Sequence, residues 1–237
     1  MRLVSLLVVL AACQGGGEDN RPVLPGGDDG ESVHPGGGDA RIDDAPHGDG
    51  AAIMGRVCLL GDLRNLASCA SVGADGLTVT LGTQTAMTAA DGSFTIPAPS
   101  GSTLVWRVNG PGVVPSRMAF SAVPRIPVLP KTVYDNLTLS NGVILNAGQG
   151  TVVARVISQG AAVTGATGTI VNASYAAFYD GNSATVWNQN STGVQGMIWV
   201  PGVAAGTASL SVDVAGTIST VPTAVDDGGI TFVIVDL

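Results

Sequence analysis

Beyond residue 50 this chain of 237 residues has no histidine and no glutamate, and Lys131 is its single lysine there. His34, His47, Glu18 and Glu31 all lie nearer the N-terminus. Without an imidazole there is no Ser-His or Cys-His pair to activate a nucleophile and no histidine-bearing zinc site; without Glu, the usual carboxylate base of raised pKa is missing. The aspartates in Asp91-Gly92-Ser93 and Asp226-Asp227-Gly228 stand in turn contexts. Val128 precedes Lys131 by three positions, so no Ser-x-x-Lys dyad exists, and no phosphate-binding glycine loop is present. No catalytic residue, metal ligand or cofactor is therefore expected. Six arginines and Lys131 beyond residue 50, in a chain of net charge −8, also argue against a nucleic-acid partner. Long apolar runs are absent too: the longest, residues 3–12, falls well short of the roughly 20 residues that span a bilayer.

That short run carries an address. Arg2 precedes it and Leu10-Ala11-Ala12-Cys13 closes it, giving the charged start, apolar core and small residues of a secretory signal. Leu10-Ala11-Ala12-Cys13 resembles the lipobox of bacterial lipoproteins. The resemblance implies that residues 1–12 are removed and that Cys13 carries the acyl chains, two of which suffice for stable anchoring. With Gln14 rather than aspartate after the cysteine, it also implies an outer-membrane or cell-surface location. Residues 14–50 hold nine acidic side chains against Arg21 and Arg41, with eleven glycines and no aromatic residue. Such a stretch buries too little apolar surface to offset ordering, so residues 13–50 are expected to form a disordered tether, spanning about 35 Å.

Residues 51–237 read as strands. Leu77-Thr78-Val79-Thr80-Leu81, Ser209-Leu210-Ser211-Val212 and similar short runs alternate apolar with polar residues between Gly, Asp and Pro punctuation. An internal repeat adds detail. Thr88-Ala89-Ala90-Asp91-Gly92-Ser93-Phe94-Thr95-Ile96-Pro97 aligns with Thr192-Gly193-Val194-Gln195-Gly196-Met197-Ile198-Trp199-Val200-Pro201, matching in threonine, glycine, a large apolar residue and proline. The expected fold is all-β: two tandem sandwiches, 51–131 and 150–237, joined by a linker, 132–149. Pro124, Pro127 and Pro130 place the end of the first copy at an edge.

Gly55-Arg56-Val57, the strand at 77–81 and the Thr-x-x-Asp-Gly-x-Phe hairpin from Thr88 resemble the carboxypeptidase regulatory-like, or transthyretin-like, β-sandwich. The second copy departs in having Gln195 at the aspartate position and is equally similar to a bacterial Ig-like module. The resemblance implies an accessory, adhesive or spacer role and carries over no catalytic residue. With Cys13 committed to lipid, Cys58 and Cys69 remain as a pair suited to a disulfide in an oxidising compartment, the alternative being two reduced buried thiols.

Tyr175, Phe178, Tyr179, Trp187 and Trp199 cluster in the second copy around the polar segment 180–192. Trp199 and Phe178 are expected in the core. Trp187 is expected at the surface, where with Tyr179, Asn188 and Asn190 it would form a ligand-binding loop suited to a sugar ring. Two functions follow: a membrane-anchored, non-catalytic module that engages an envelope or extracellular protein, or a glycan-binding accessory lipoprotein. The anchor has a direct test. Replacing Cys13→Ser is expected to move the protein from the detergent phase to the aqueous phase in Triton X-114 partitioning; unchanged partitioning would refute lipidation.

Overall fold

A computed structural model describes residues 51–70, 74–100 and 103–237. The signal, Cys13 and the acidic segment 14–50 lie outside the described residues. Seven strands come first: β1 (Ala52–Leu59), β2 (Thr78–Leu81), β3 (Gln84–Met87), β4 (Ser93–Pro97), β5 (Val105–Asn109), β6 (Ser116–Ala119) and β7 (Arg125–Val128). Helix α1 (Lys131–Ser140) follows. The second half contributes β8 (Gln149–Ser158), β9 (Ala161–Ala162), β10 (Thr167–Ile170), β11 (Phe178–Tyr179), β12 (Met197–Ala204), β13 (Gly206–Val214), β14 (Thr217–Val225) and β15 (Ile230–Asp236).

The fold is two β-sandwiches that share one sheet. A three-stranded sheet, β4-β1-β7, and another, β10-β13-β14, flank a nine-stranded sheet ordered β11-β12-β8-β15-β6-β5-β2-β3, with β9 paired to β8. The C-terminal strand β15 joins the halves. It runs parallel to β8 from Ile230↔Thr151 to Asp236↔Ile157, and parallel to β6 at Ile230↔Ser116, Thr231↔Arg117 and Phe232↔Met118. Registered residues share a face of the sheet. Trp106, Met118, Phe232 and Val153 thus line one face, and Arg117, Thr231 and Val152 the other. Trp106 packs with Val57, Ile96 and Ile126 of the first flanking sheet, whereas Val152 packs with Leu210 and Val212 of the second. The flanking sheets therefore cover opposite faces of the shared sheet.

The repeat holds down to single hydrogen bonds. Thr88 Oγ1 accepts from Leu77 N and donates to Ala74 O; Thr192 Oγ1 accepts from Ala166 N and donates to Val163 O. Gly92 (φ +83°) accepts from Val57 N at 2.8 Å, as Gly196 (φ +68°) accepts from Val156 N at 2.8 Å. Both glycines are obligatory for two reasons. Each has a left-handed φ, and a Cβ would lie 2.4 Å from Val57 O at Gly92 or 2.6 Å from Val156 O at Gly196. Pairing is conserved as well: β4-β1-β7 corresponds to β12-β8-β15, and β2-β5-β6 to β10-β13-β14.

A third core lies between the two sandwich cores. Because the second sandwich uses one face of β8, β12 and β15, the opposite face, bearing Val153, Trp199 and Phe232, needs its own cover. Leu60 and Leu63 from the 60–70 loop, Tyr134 and Leu137 from α1, and Trp187 provide it. The Cys58–Cys69 disulfide, with Cα atoms 4.4 Å apart, closes the base of that loop. The segment 132–149, expected as a linker, begins inside α1. Its helix occupies a stretch without Gly or Pro, entered after Pro130 and left at Asn141-Gly142, where Gly142 has φ +66°. Burial, partly opposed by a hydrogen bond with Thr151, pushes the Tyr134 hydroxyl up to about 12, so this contact stays neutral over the ordinary pH range.

The two turn glycines make a paired test. Gly92→Ala and Gly196→Ala are each expected to destabilise the protein by about 2 kcal/mol or more, measured by urea unfolding. An Ala variant as stable as the parent would contradict the backbone clash.

Candidate functional site

The polar segment 180–192 does not form the expected sugar platform. Trp187 is 2 % exposed, its indole N–H donates to Ala184 O at 3.1 Å, and its ring meets Trp199 edge-on at 5.7 Å. This corrects the expectation of a surface tryptophan. The reason is the uncovered face of β12, on which Trp187 supplies apolar area. Tyr179 is also buried, and its hydroxyl accepts from Gly168 N and donates to Gly168 O. Asn188 and Asn190 are exposed, but no exposed aromatic ring accompanies them as the binding loop required. Trp199 is buried as expected, whereas Phe178 is half-buried beside it, with ring centroids 4.9 Å apart.

Asp180 organises this segment. Buried, it accepts from the N–H groups of Gly193, Gln195 and Met197 at 2.9, 3.1 and 3.0 Å. In the first copy, Asp91 within the turn accepts from Ser93 N at 2.9 Å. Gln195 thus stands where the repeat has aspartate because a carboxylate from fifteen residues upstream takes over the acceptor role. Arg64 ties the disulfide-closed loop to the same segment, donating to Gly181 O at 2.7 Å while its fork grips Asp62 at 2.6–3.1 Å. Burial raises the Asp62 pKa, but the hydrogen bonds and charge of Arg64 outweigh it and hold the carboxyl below its ordinary value.

The candidate site is instead a groove of about 740 Å³ where β6 leaves β15. Pairing between them ends at Phe232↔Met118, although β15 continues to Asp236. The cause lies in the residues after β6. Phe120 stacks on Trp106 with ring centroids 6.1 Å apart, and the Trp106 indole N–H donates to Ser121 O at 3.1 Å. These contacts hold residues 120 and 121 against Trp106 of β5, on the side of β6 away from β15. Met118, Phe120, Pro127 and Ile234 contribute apolar surface, with residues 221–224 of β14 forming a further wall.

Three arginines line the groove: Arg117, Arg125 and Arg155. Arg117 is committed, bonding Asp226 at 3.1 Å, and Asp226 also meets Arg107 at 3.3 Å. Among the described residues, neither Arg125 nor Arg155 has a carboxylate within salt-bridge distance. Sequence reading missed this site because its arginines come from β6, β7 and β8. The available signal was that six arginines and one lysine serve the whole stretch from residue 51.

No family model and no curated protein matches the chain. Among solved structures it is similar to the Bacillus anthracis TIE protein, with 11 % identity, a TM-score of 0.26, and coverage of 78 % of this chain and 34 % of that one. A streptococcal ancillary pilin gives 12 %, 0.22, 79 % and 63 %, respectively. A Bacteroides ovatus protein assigned to cell adhesion gives 8 %, 0.24, 78 % and 92 %. The chain spans about a third of the first structure and under two thirds of the second. None of these likenesses identifies a family.

The grip of Arg64 on Asp62 makes a pH prediction. The folded pKa of the Asp62 carboxyl lies below its ordinary value of 3.8, so its stabilisation is present above that value and is lost as pH falls through the depressed one. Asp62→Asn is expected to cost about 1 kcal/mol at pH 7, with the gap from the parent closing in strong acid. Thermal melts at pH 7 and pH 2.5 check this, and a difference independent of pH would refute it.

Proposed function

We propose that the chain is a non-catalytic interaction module, lipid-anchored through Cys13 at the outer surface of a bacterial envelope, and that the groove beside β15 is where it engages another protein. The observation that carries this reading is an apolar groove with arginines on its walls, built on a rigid sheet. Apolar lining supplies contact area, and a few charged groups fix orientation. The acidic segment 14–50 would act as the spacer between lipid and sandwich. The absence of His and Glu beyond residue 50 supports a binding role rather than catalysis. The glycan-binding alternative is weakened by the burial of Trp187 and Tyr179.

A photo-crosslinking amino acid tests the assignment in the native envelope. Placed at Phe120, which is 44 % exposed at the groove, it is expected to yield a covalent adduct with another protein. Placed at Val171, which is 82 % exposed and does not line the groove, it is expected to yield none. No adduct from position 120, or equal adducts from both positions, would overturn the assignment.

A further inference from the structure

Resting on the groove reading above, we propose that the partner enters as an extended acidic peptide segment that adds a strand to β15 at residues 233–236. Backbone directions in β15 supply the first argument. Thr151 N donates to Gly229 O and Leu237 N to Ile157 O, whereas Ile230 N donates to Pro115 O. Odd-numbered residues therefore direct their backbone groups at β8 and even-numbered ones at the β6 side. Beyond Phe232, where β6 has left, Ile234 and Asp236 point their N–H and C=O groups into the gap. A row of such groups is a template for another strand.

The outermost strands of the three sheets are poorly suited to this use. β4 and β7 carry Pro97 and Pro127, and β14 carries Pro222. β3, β10 and β11 have four, four and two residues. Proline and shortness are the ordinary means of blunting an edge. Residues 233–236 carry no proline and continue a seven-residue strand that is already held by β8, and Ile234 is 52 % exposed.

Charge selects the occupant. Arg155 registers directly beside Ile234, so a peptide residue on the far side of Ile234 lies about 10 Å from the β8 backbone, within reach of an arginine side chain. Arg125 lies on the β7 wall. The nearest carboxylate on this strand is Asp236, at its last position, while Asp226 is held by Arg107 and Arg117. An added strand directs alternate side chains to opposite faces. Asp or Glu on the Arg155 face, alternating with apolar residues towards 221–224, would satisfy both walls.

The test pans the full chain in detergent against a displayed library of random nine-residue peptides. Enriched peptides are expected to alternate acidic with apolar residues. Their capture should fall about tenfold in Arg155→Glu and in Arg125→Glu, both at unchanged Tm. Peptide binding should also slow amide exchange at Ile234, which would identify strand addition. Ile234→Pro removes the donor and should abolish capture; the arginine variants remain decisive if that variant misfolds. No enrichment, basic or neutral peptides, indifference to both arginine substitutions, or unprotected Ile234 would each overturn the proposal. Capture that appears only after the nine acidic residues of 14–50 become amides would also overturn it, assigning the groove to the chain's own segment. Crosslinks from position 120 without enrichment would refute strand addition while leaving protein binding standing; absence of both would refute the broader reading.

Discussion

The placement of β15 between β6 and β8 governs the rest of the architecture. The last strand of the second sandwich adds in parallel to the edge of the first, turning two repeat units into one molecule. Only three residue pairs make the junction with β6, too few to hold two sandwiches in register by hydrogen bonds alone. The third core provides the rest. Burying a leucine contributes about 2 kcal/mol, and Leu60, Leu63, Leu129 and Leu137 are all buried with Trp187 and Trp199 on the face that the junction exposes. The disulfide-closed loop and α1 are thus consequences of fusing the sheets: each brings apolar side chains to a surface that an isolated sandwich would have left wet.

The two copies show how a fixed local requirement can be met by different residues. Both turns need an acceptor for the N–H groups around a left-handed glycine. The first copy obtains it from Asp91 in the turn itself, and the second from Asp180, which opens the excursion carrying Trp187 and binds the residues that follow it. Moving the carboxylate out of the turn let one residue shape the hairpin and fold residues 181–192 back over Trp199. The Trp199 indole N–H, buried without a hydrogen-bond partner among the described residues, is the penalty of packing this face so fully with rings.

What could be read from the sequence was what local chemistry dictates. The repeat was legible because a buried threonine and a glycine at positive φ are required by the turn, so they recur at fixed spacing. Strand alternation exposed the sandwiches, and the redox compartment implied by Cys13 paired Cys58 with Cys69. Trp187 was misread because its polar neighbours describe a surface loop accurately, while its own burial depends on a sheet face created by the junction. The groove was illegible for a related reason. Arg125 and Arg155 are thirty positions apart, and their relationship exists only after β6 has crossed to β7 and β15 has closed the sheet.

An open strand edge is an aggregation hazard, which makes the surroundings of residues 233–236 informative. Two sheets can associate through an edge only if the approaching strand brings its neighbours with it. Here β7 stands on one side of the shared sheet and β14 on the other, so the gap is a walled slot rather than a free margin. The proposed occupant, a single extended segment, brings no neighbouring strands to meet those walls, as a second sheet would. The arginines add a further selection, because a strand bringing lysine or arginine beside Arg155 would meet like charge in a partly desolvated groove. In the proposed strand addition, shape selects isolated strands and charge selects acidic ones, while contacts with Trp106 hold Phe120 and Ser121 on the far side of β6 from β15.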